Sequence, residues 1–449
     1  MKQLLLFFAI IVPFVPEIAR AGSTGGLGQL TAADRLILPA FIIVALFARK
    51  LPATQMERYA RPLLVFVLIA LVSSVSVPLR FPTAEQNVAV MGVLRMAKFT
   101  IYALMAFASL RCFASPTYRK TVLFAWGAGV VLMSSVLLRQ ALSLDAGVGV
   151  KDGLYISGNP ASVALACVVV SAISVMVMGR LSAAQTWLIG AVSMAAVIGM
   201  LFSQGRGGWI SLLLGSAFMV RKVRVGYVVA AATIAMLVVT AAENSPTVSR
   251  SLRGLVVEEQ VYSTGGEDAE SSLNDAGRVA TWFHESAKLA EHPILGYGIF
   301  HRGGASPLWS TGSHNFFLQM FLESGLLGGG AFVWFFWTLW RATQTLPRQA
   351  RVGARAVLIA MVAGAMGGEY LYGDAPLYCF LVALWMLAIP AELGGPTLAT
   401  AERAVSRRRS TDQTRRSASP KSERSGMPAS ARASEPPSPR STMQSAPST

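Results

Sequence analysis

The sequence is poor in charged residues: only 14% of its 449 residues are Asp, Glu, Lys or Arg. A soluble globular protein carries roughly 25%. Long apolar runs recur from residue 4 to about residue 391, and several exceed the roughly 18 residues that a helix needs to cross a bilayer. The short alternating segments of a membrane β-barrel are missing. This pattern predicts an all-α, polytopic membrane protein.

Cysteine and histidine are also scarce. The three cysteines are Cys112, Cys167 and Cys379. Their odd number, wide spacing and apolar surroundings indicate neither a disulfide framework nor a metal site. The four histidines are His284, His292, His301 and His314. None forms the i, i+4 pair of an H-E-x-x-H zinc site. We therefore expect buried, unreactive thiols and neither a metal ion nor another cofactor.

The net charge of +16 could suggest nucleic acid, but the positions of the charges argue against it. Lys and Arg gather in short loops between apolar runs and in the last fifty residues. Basic short loops are the usual mark of the cytoplasmic side of a membrane protein. We therefore expect contact with membrane lipid and none with nucleic acid.

The apolar runs predict about twelve transmembrane helices. They are residues 4–19, 36–49, 62–79, 92–110, 121–138, 161–178, 186–202, 208–220, 224–242, 315–340, 353–371 and 376–391. The basic residues fall in every even-to-odd connection, which predicts that both termini are cytoplasmic. The first run also resembles a signal peptide, but we favour a retained first helix because polytopic inner-membrane proteins seldom need cleavage.

This topology divides the chain into four regions. Residues 1–242 hold helices 1–9, residues 243–314 form one large loop on the outer face, and residues 315–391 hold helices 10–12. The tail, 392–449, is basic and rich in Ser, Pro and Arg, so we expect it to be disordered and cytoplasmic. Within the loop, an amphipathic helix is predicted over 277–291. Its packing face would be Val279, Trp282 or Phe283, Ala287, and Leu289 or Ala290.

Several cations are predicted to lie on the outer side. Arg206, in "SQGRGGW", sits among three glycines that would let the backbone turn sharply near a ligand, and Arg278 opens the loop helix. Further candidates are Arg139 and Lys151 between helices five and six, and Arg95 and Lys98 three apart near the outer end of helix four. Guanidinium groups suit phosphate because they form bidentate, charge-assisted hydrogen bonds. Their structural alternatives are interfacial or solvated arginines.

The stretch "SHNFFLQMFLESGLLGGG" opens the tenth predicted helix with His314 and Asn315. Gln319 and Glu323 follow at four-residue spacing and make one polar stripe, for which we favour hydrogen bonding between helices. The glycines from Gly325 to Gly330 are most simply close-packing positions. His314 is the best histidine for chemistry, because it stands where the loop meets the membrane.

Taken together, "SGNPASVALA", "SQGRGGWISLLL", "GRVATWFHESAKLAEHPILGYGIF" and "SHNFFLQMFLESGLLG" resemble the O-antigen ligase and polymerase superfamily of bacterial inner membranes. The resemblance covers roughly residues 150–345 in motif and 1–391 in topology. It implies a metal-independent glycosyltransferase. The donor would be a glycan on a polyprenyl diphosphate, and the acceptor would be a hydroxyl of lipid A core, another glycan or a protein.

By the same resemblance, Arg206 and Arg278 would bind the diphosphate and stabilise its departure, with Arg139, Arg95 and Asn315 as further binding candidates. His314 would act as general base for the acceptor hydroxyl, or would orient it, on the periplasmic face. The residues do not separate a polymerase from a ligase in O-antigen or exopolysaccharide assembly, and we favour a polymerase slightly. A transporter or flippase of lipid-linked glycans is the alternative, although no internal repeat of the kind that transporters use is evident.

Overall fold

The structure is a computed structural model that describes residues 1–15, 17–18, 32–51, 60–81, 86–145, 154–155, 158–177, 182–203, 205–220, 282–283, 285–299, 315–346, 348–366 and 374–386. The chain divides into two units, Met1–Gly395 and Pro396–Thr449. All described residues belong to the first unit.

The described part is built from helices. They are α1 (Lys2–Ile11), α2 (Ala32–Ala48), α3 (Arg61–Val75), α4 (Val77–Arg80), α5 (Gln86–Ala114), α6 (Arg119–Asp145), α7 (Gly158–Val177), α8 (Ala183–Phe202), α9 (Arg206–Val220), α10 (Phe316–Ala342), α11 (Arg348–Ala365) and α12 (Asp374–Met386). Short 3₁₀ turns follow α1 and α10, at Val12–Phe14 and Thr343–Thr345. Two-residue strands β1 (Glu17–Ile18) and β2 (Leu154–Tyr155) pair antiparallel.

Eleven of the twelve predicted apolar segments coincide with described helices, and the twelfth, 224–242, lies outside the described residues. Among the helices that the structure describes, four are long and apolar enough to cross a membrane. They are Val88–Ala114, Arg119–Leu142, Ala183–Phe202 and Phe316–Ala342. The all-helical membrane class is therefore confirmed, while the number of crossings stays a prediction.

Two groups of helices position the site. In one group, α3 packs against α5 and α10, and in the other, α7, α9 and α11 pack against one another; α12 packs on α5 and α7 and so links the two. Small residues allow the close approach in the second group. A Cβ added to Gly208 of α9 would lie 2.6 Å from the Ser162 carbonyl oxygen of α7. All three cysteines are buried and free, as expected.

The tenth predicted helix is not one straight span. Gly325 has φ +67° and ψ −172° inside α10, and the chain reverses there. The rings of Phe317 and Phe336 lie 5.4 Å apart, although a straight helix would separate these residues by about 28 Å. The helix α10 is therefore a hairpin with a first limb, 316–324, folded onto a second limb, 326–342.

The glycines of this region allow the chain to reverse and the two limbs of the hairpin to pack on each other. A side chain at Gly325 would overlap the carbonyl oxygen of Ile294, and one at Gly329 would overlap the ring of Phe321 in the first limb. Gly330 faces open space within 4 Å. Close packing thus holds for Gly328 and Gly329, whereas Gly325 makes the reversal and Gly330 lies on the open side.

The α10 hairpin packs along α3, with its first limb in contact at the reversal and its second limb in contact through Phe332. At one end, the Glu323 carbonyl accepts a hydrogen bond of 2.9 Å from Ser73 Oγ. At the other end, Phe316 packs on Phe332 with ring centroids 5.1 Å apart, and Phe332 packs on Phe66 at 5.2 Å. Ser73 and Phe66 are seven residues apart on α3, which is about 10 Å. The start of α10 therefore lies well inside the bundle.

Candidate functional site

Arg206 is the first residue of α9, at the end of a short turn after α8. Ser203 Oγ accepts a hydrogen bond of 3.3 Å from the Gly205 amide, which holds this turn. The described glycines with positive φ are Gly296, Gly298 and Gly325, so no "GRGG" glycine makes a left-handed turn. Gly208 instead packs closely on Ser162 of α7. The Arg206 side chain lies outside the described part of the structure.

Asn315 caps the first limb. Its side-chain oxygen accepts a hydrogen bond of 3.1 Å from the Leu318 amide, which satisfies one of the free N–H groups of a helix start. Asn315 is 8% exposed. His314 and Arg278 lie outside the described residues, so their predicted roles remain predictions. The neighbouring Asn315 is buried in the protein, and it opens the first limb of a hairpin rather than a straight span.

The polar stripe of the first limb pairs with itself. Gln319 Nε2 donates to Glu323 Oε1 at 3.2 Å, and both residues are buried, at 4% and 2% exposure. This contact joins two residues of the same limb. It is therefore not a hydrogen bond between helices, which is the kind that the sequence predicted. A buried carboxylate needs such donors because burial disfavours an unpaired charge.

The loop segment 285–299 packs differently from its predicted amphipathic helix. Residues 285–289 are helical, but Ala287 and Ala290 are exposed, and Phe283 is 75% exposed. The buried residue is Glu285, at 3% exposure. Of the predicted face, Trp282 and Leu289 are half-buried, whereas Ala287 is exposed and Glu285 takes an inward position.

Tyr297 anchors the end of this segment. Its hydroxyl donates to Glu291 Oε2 at 2.6 Å, and Lys288 Nζ lies 3.0 Å from Glu291 Oε1. The hydrogen bond from Tyr297, assisted by that from Lys288, lowers the pKa of Glu291. Burial, and then the bond to Glu291, raises the pKa of Tyr297. His292, the one histidine among the described residues, packs edge-on against the Tyr297 ring at 4.7 Å.

The segment 293–299 is bonded to the α10 reversal on one side and to α3 on the other. The amides of Tyr297 and Gly298 donate to the Leu322 and Glu323 carbonyls at 2.8 and 2.9 Å. The Leu326 amide donates to the Pro293 carbonyl at 2.7 Å. We call this meeting of α3, α4, segment 293–299 and the α10 reversal the α3 junction.

A cavity of about 910 Å³ lies between α9, α10 and α11. Its lining is almost wholly apolar and includes Gly207, Trp282 and Phe317. Five aromatic residues contribute rings to it: Trp282, Phe317, Phe336, Trp337 and Trp340. Several lining residues are themselves exposed on the bundle surface, among them Ile210, Trp337 and Val362, so the cavity opens sideways toward the surroundings of the bundle.

Each of three motifs singled out in the sequence supplies one wall of this cavity. Gly207 follows Arg206, Trp282 comes four residues after Arg278, and Phe317 comes three residues after His314. The structure therefore brings the backbone around "GRGGW", "ATWF" and "HNFF" to one place. A cavity of this size matches the range in which small-molecule and cofactor sites usually fall.

The two remaining candidate residues, Arg95 and Arg139, do not line the cavity. Arg95 is half-buried on α5, one turn beyond Gly92, where an added Cβ would lie 2.5 Å from the Ile299 carbonyl oxygen. It therefore lies close to the α3 junction. Arg139 is exposed on α6, a helix that packs mainly on α1 and α8. The described contacts bring Arg95, but not Arg139, to the neighbourhood of the loop segment.

Residues 189–333 match the family model for O-antigen ligase. This segment is therefore similar to the O-antigen ligase family. The match confirms the resemblance to the O-antigen ligase and polymerase superfamily, and it spans about a third of the chain. The O-antigen ligase segment contains α9, the loop residues and the α10 reversal, and hence all three motifs at the cavity. No curated protein is significantly similar to the chain in sequence.

Sequence reasoning missed Ser73, Arg80 and Glu285. Ser73 and Arg80 lie outside the O-antigen ligase segment, near the end of a predicted span, where a serine and an arginine are unremarkable. Glu285 lies in a loop rich in charged residues, so nothing in the sequence distinguished it as a buried carboxylate. A signal for Gly296 was available, because "ILGYG" places glycine between bulky apolar residues, where a turn or a close approach is the usual reason.

Proposed function

We propose that this protein transfers a glycan from a polyprenyl diphosphate carrier to an acceptor hydroxyl on the periplasmic face of the bacterial inner membrane. The match of residues 189–333 to the family model for O-antigen ligase supports a transferase that uses lipid-linked glycan. The acceptor is a growing glycan, lipid A core or a protein hydroxyl. Both termini are proposed to be cytoplasmic, following the basic loops.

The observation that carries the proposal is the shared cavity. Gly207, Trp282 and Phe317 come from three motifs that are far apart in sequence, yet all three line it. An isoprenoid tail is apolar and branched, and it would bury its surface favourably against aromatic and aliphatic walls at roughly 25 cal/mol per Å². The lateral opening suits a carrier that enters from the bilayer.

The diphosphate would lie where two helices begin. The helix α9 starts at Arg206 and the first limb starts after Asn315, and the first turn of each reaches the cavity wall at Gly207 and Phe317. Helix N-termini attract anions because their free N–H groups point outward along the helix axis. Arg206 and Arg278 would add fixed positive charge that stabilises the leaving diphosphate as its negative charge grows.

His314 is proposed to accept the proton of the acceptor hydroxyl. A histidine titrates near neutral pH and is therefore suited to general base catalysis. It precedes Asn315, whose interior position at the foot of the first limb would bring the base to the depth of the diphosphate. The hydroxyl oxygen would attack the anomeric carbon, the bond to the diphosphate would break, and the carrier diphosphate would leave.

The test is complementation of a deletion strain with wild type and with Arg206→Ala, Arg278→Ala and His314→Ala at equal membrane levels. Loss of a charge-stabilising group costs on the order of 10²–10³ in rate, so each variant should fail to restore the surface glycan. Arg61→Ala, at the exposed start of α3, is the matched control and should restore it.

The glycan pattern also decides between the finer functions. Single repeats on their normal acceptor would identify a polymerase, and full-length chains that remain on the carrier would identify a ligase. If all three variants restored the glycan as wild type does, the assignment would be wrong, and transport of lipid-linked glycans would take its place.

A further inference from the structure

Arg80 makes the most connections of any side chain at the α3 junction. Nη1 donates to the Gly296 carbonyl, Nη2 donates to the Ser73 carbonyl at 2.7 Å, and Nε donates to Ser76 Oγ at 3.0 Å. The Gly296 bond crosses to the loop segment, whereas the other two bonds lie within the α3–α4 region. Arg80 therefore ties the loop to the end of α3.

Ser73 makes a second tie in the same place. Its hydroxyl lies within hydrogen-bond distance of the Leu295 carbonyl and of the Glu323 carbonyl, the latter at 2.9 Å. The next residue, Ser74, accepts a hydrogen bond of 3.3 Å from the Ile299 amide. Three polar contacts from two consecutive serines thus fix the loop segment and the first limb against one turn of α3.

The contact between the loop and the α10 reversal leaves little room for adjustment. A Cβ at Gly296 would lie 2.5 Å from the Gly325 amide nitrogen, so two glycines with positive φ meet backbone to backbone. The Phe81 ring stacks on Tyr297 at 5.7 Å and so closes the junction from the α4 side. A shift of Gly296 would therefore move the reversal with it.

We infer that Arg80 is a positioning residue for the transfer reaction. The first limb is a short helix that is fixed at its Glu323 end by the α3 junction and carries Asn315 at its other end. Because a helix moves as a rigid rod over nine residues, a displacement at the junction reaches the backbone beside His314. This inference rests on the proposed function, and it lies outside the residues that the family match covers.

The inference predicts a loss of turnover without a loss of donor binding. Displacing a catalytic group by about 1 Å can cost on the order of 10²-fold in rate. Arg80 itself uses its donors on protein groups, so removing it should leave the affinity for the donor nearly unchanged. A direct diphosphate ligand would instead raise KM when removed.

The experiment uses the full-length protein in nanodiscs, supplied with the polyprenyl-diphosphate-linked glycan extracted from the deletion strain. Arg80→Ala is compared with Arg80→Lys and with Arg119→Ala. Arg119 is a matched control because its guanidinium also donates to two backbone carbonyls, those of Phe113 and Ala114, at 3.2 and 3.1 Å. Hydrogen–deuterium exchange of peptides covering 293–299 and 315–324 is measured on the same samples.

We expect Arg80→Ala to lower kcat at least tenfold with KM changed less than threefold, and to speed exchange in those two peptides. Lysine should recover part of kcat, since it can still donate to Gly296, and Arg119→Ala should match wild type in both readouts. Unchanged kcat per folded protein, or a raised KM with unchanged kcat, would overturn the inference. His314→Ala, run alongside, separates the two claims: full activity in that variant would reject the proposed function itself.

Discussion

At Gly325 a single residue decides the course of α10. Its φ of +67° is in a region that side chains rarely adopt, and a Cβ there would overlap the Ile294 carbonyl oxygen. The hairpin therefore requires glycine for two independent reasons, backbone conformation and space.

We predict that Gly325→Ala destabilises the protein by roughly 2–3 kcal/mol or more, because left-handed strain costs about 1–3 kcal/mol and the overlap adds to it. Gly330→Ala is the control, since Gly330 has a helical backbone and open space; it should be neutral or stabilising by up to about 1 kcal/mol. Thermal unfolding in detergent measures both. Equal melting temperatures for the two variants would show that the chain does not reverse at Gly325.

The role of a single residue could be predicted from the sequence where the residue type restricts what the side chain can do. The cysteines proved buried, and the "HNFF" motif proved to begin a helix capped by Asn315. The role of Ser73 could not be predicted, because its hydrogen bond to Glu323 joins residues 250 positions apart. Nothing local in a sequence records such a partner.

At the scale of elements, α9, α10 and α11 enclose the cavity, and its volume is open to a direct test. Ala363 of α11 lines it. A phenyl ring at that position would occupy space that we assign to the carrier tail. Ala191, exposed on α8, offers the same substitution on a surface away from the cavity.

We predict that Ala363→Phe lowers kcat/KM for transfer roughly tenfold or more, since even one methylene in a fitted apolar pocket changes discrimination by about 1–3 kcal/mol. Ala191→Phe should retain wild-type activity. Transfer assays in nanodiscs at equal protein levels measure both variants. Full activity of Ala363→Phe would place the tail elsewhere.

The positions of most helices were predictable because apolar runs are the primary signal of membrane helices. The reversal in α10 was not, since both limbs are apolar and the run continues through Gly325 without a break. Within the predicted loop helix, residues 282–283 and 285–289 are helical. The burial of Glu285 could not be predicted, because its tertiary surroundings bury it and periodicity assigns carboxylates to the outside.

For the molecule as a whole, the family match and the cavity both support the proposed transfer of a lipid-linked glycan. Residues 189–333 carry the motifs, while α3 and α4, earlier in the chain, hold the α3 junction. The O-antigen ligase segment would thus depend on α3 and α4 for the positions of its residues. The sequence predicted the helical membrane class and the superfamily, but it could not show that three distant motifs line one cavity.

The most direct test of the central claim is photo-crosslinking in membranes, with benzoylphenylalanine at Trp337 in the cavity or at Trp187, which is 81% exposed on α8. The account predicts that Trp337→benzoylphenylalanine captures the polyprenyl-linked glycan, detected with antibody to the surface glycan, and that Trp187→benzoylphenylalanine does not. Equal capture at both positions, or capture at Trp187 alone, would contradict the assignment of this cavity to the donor.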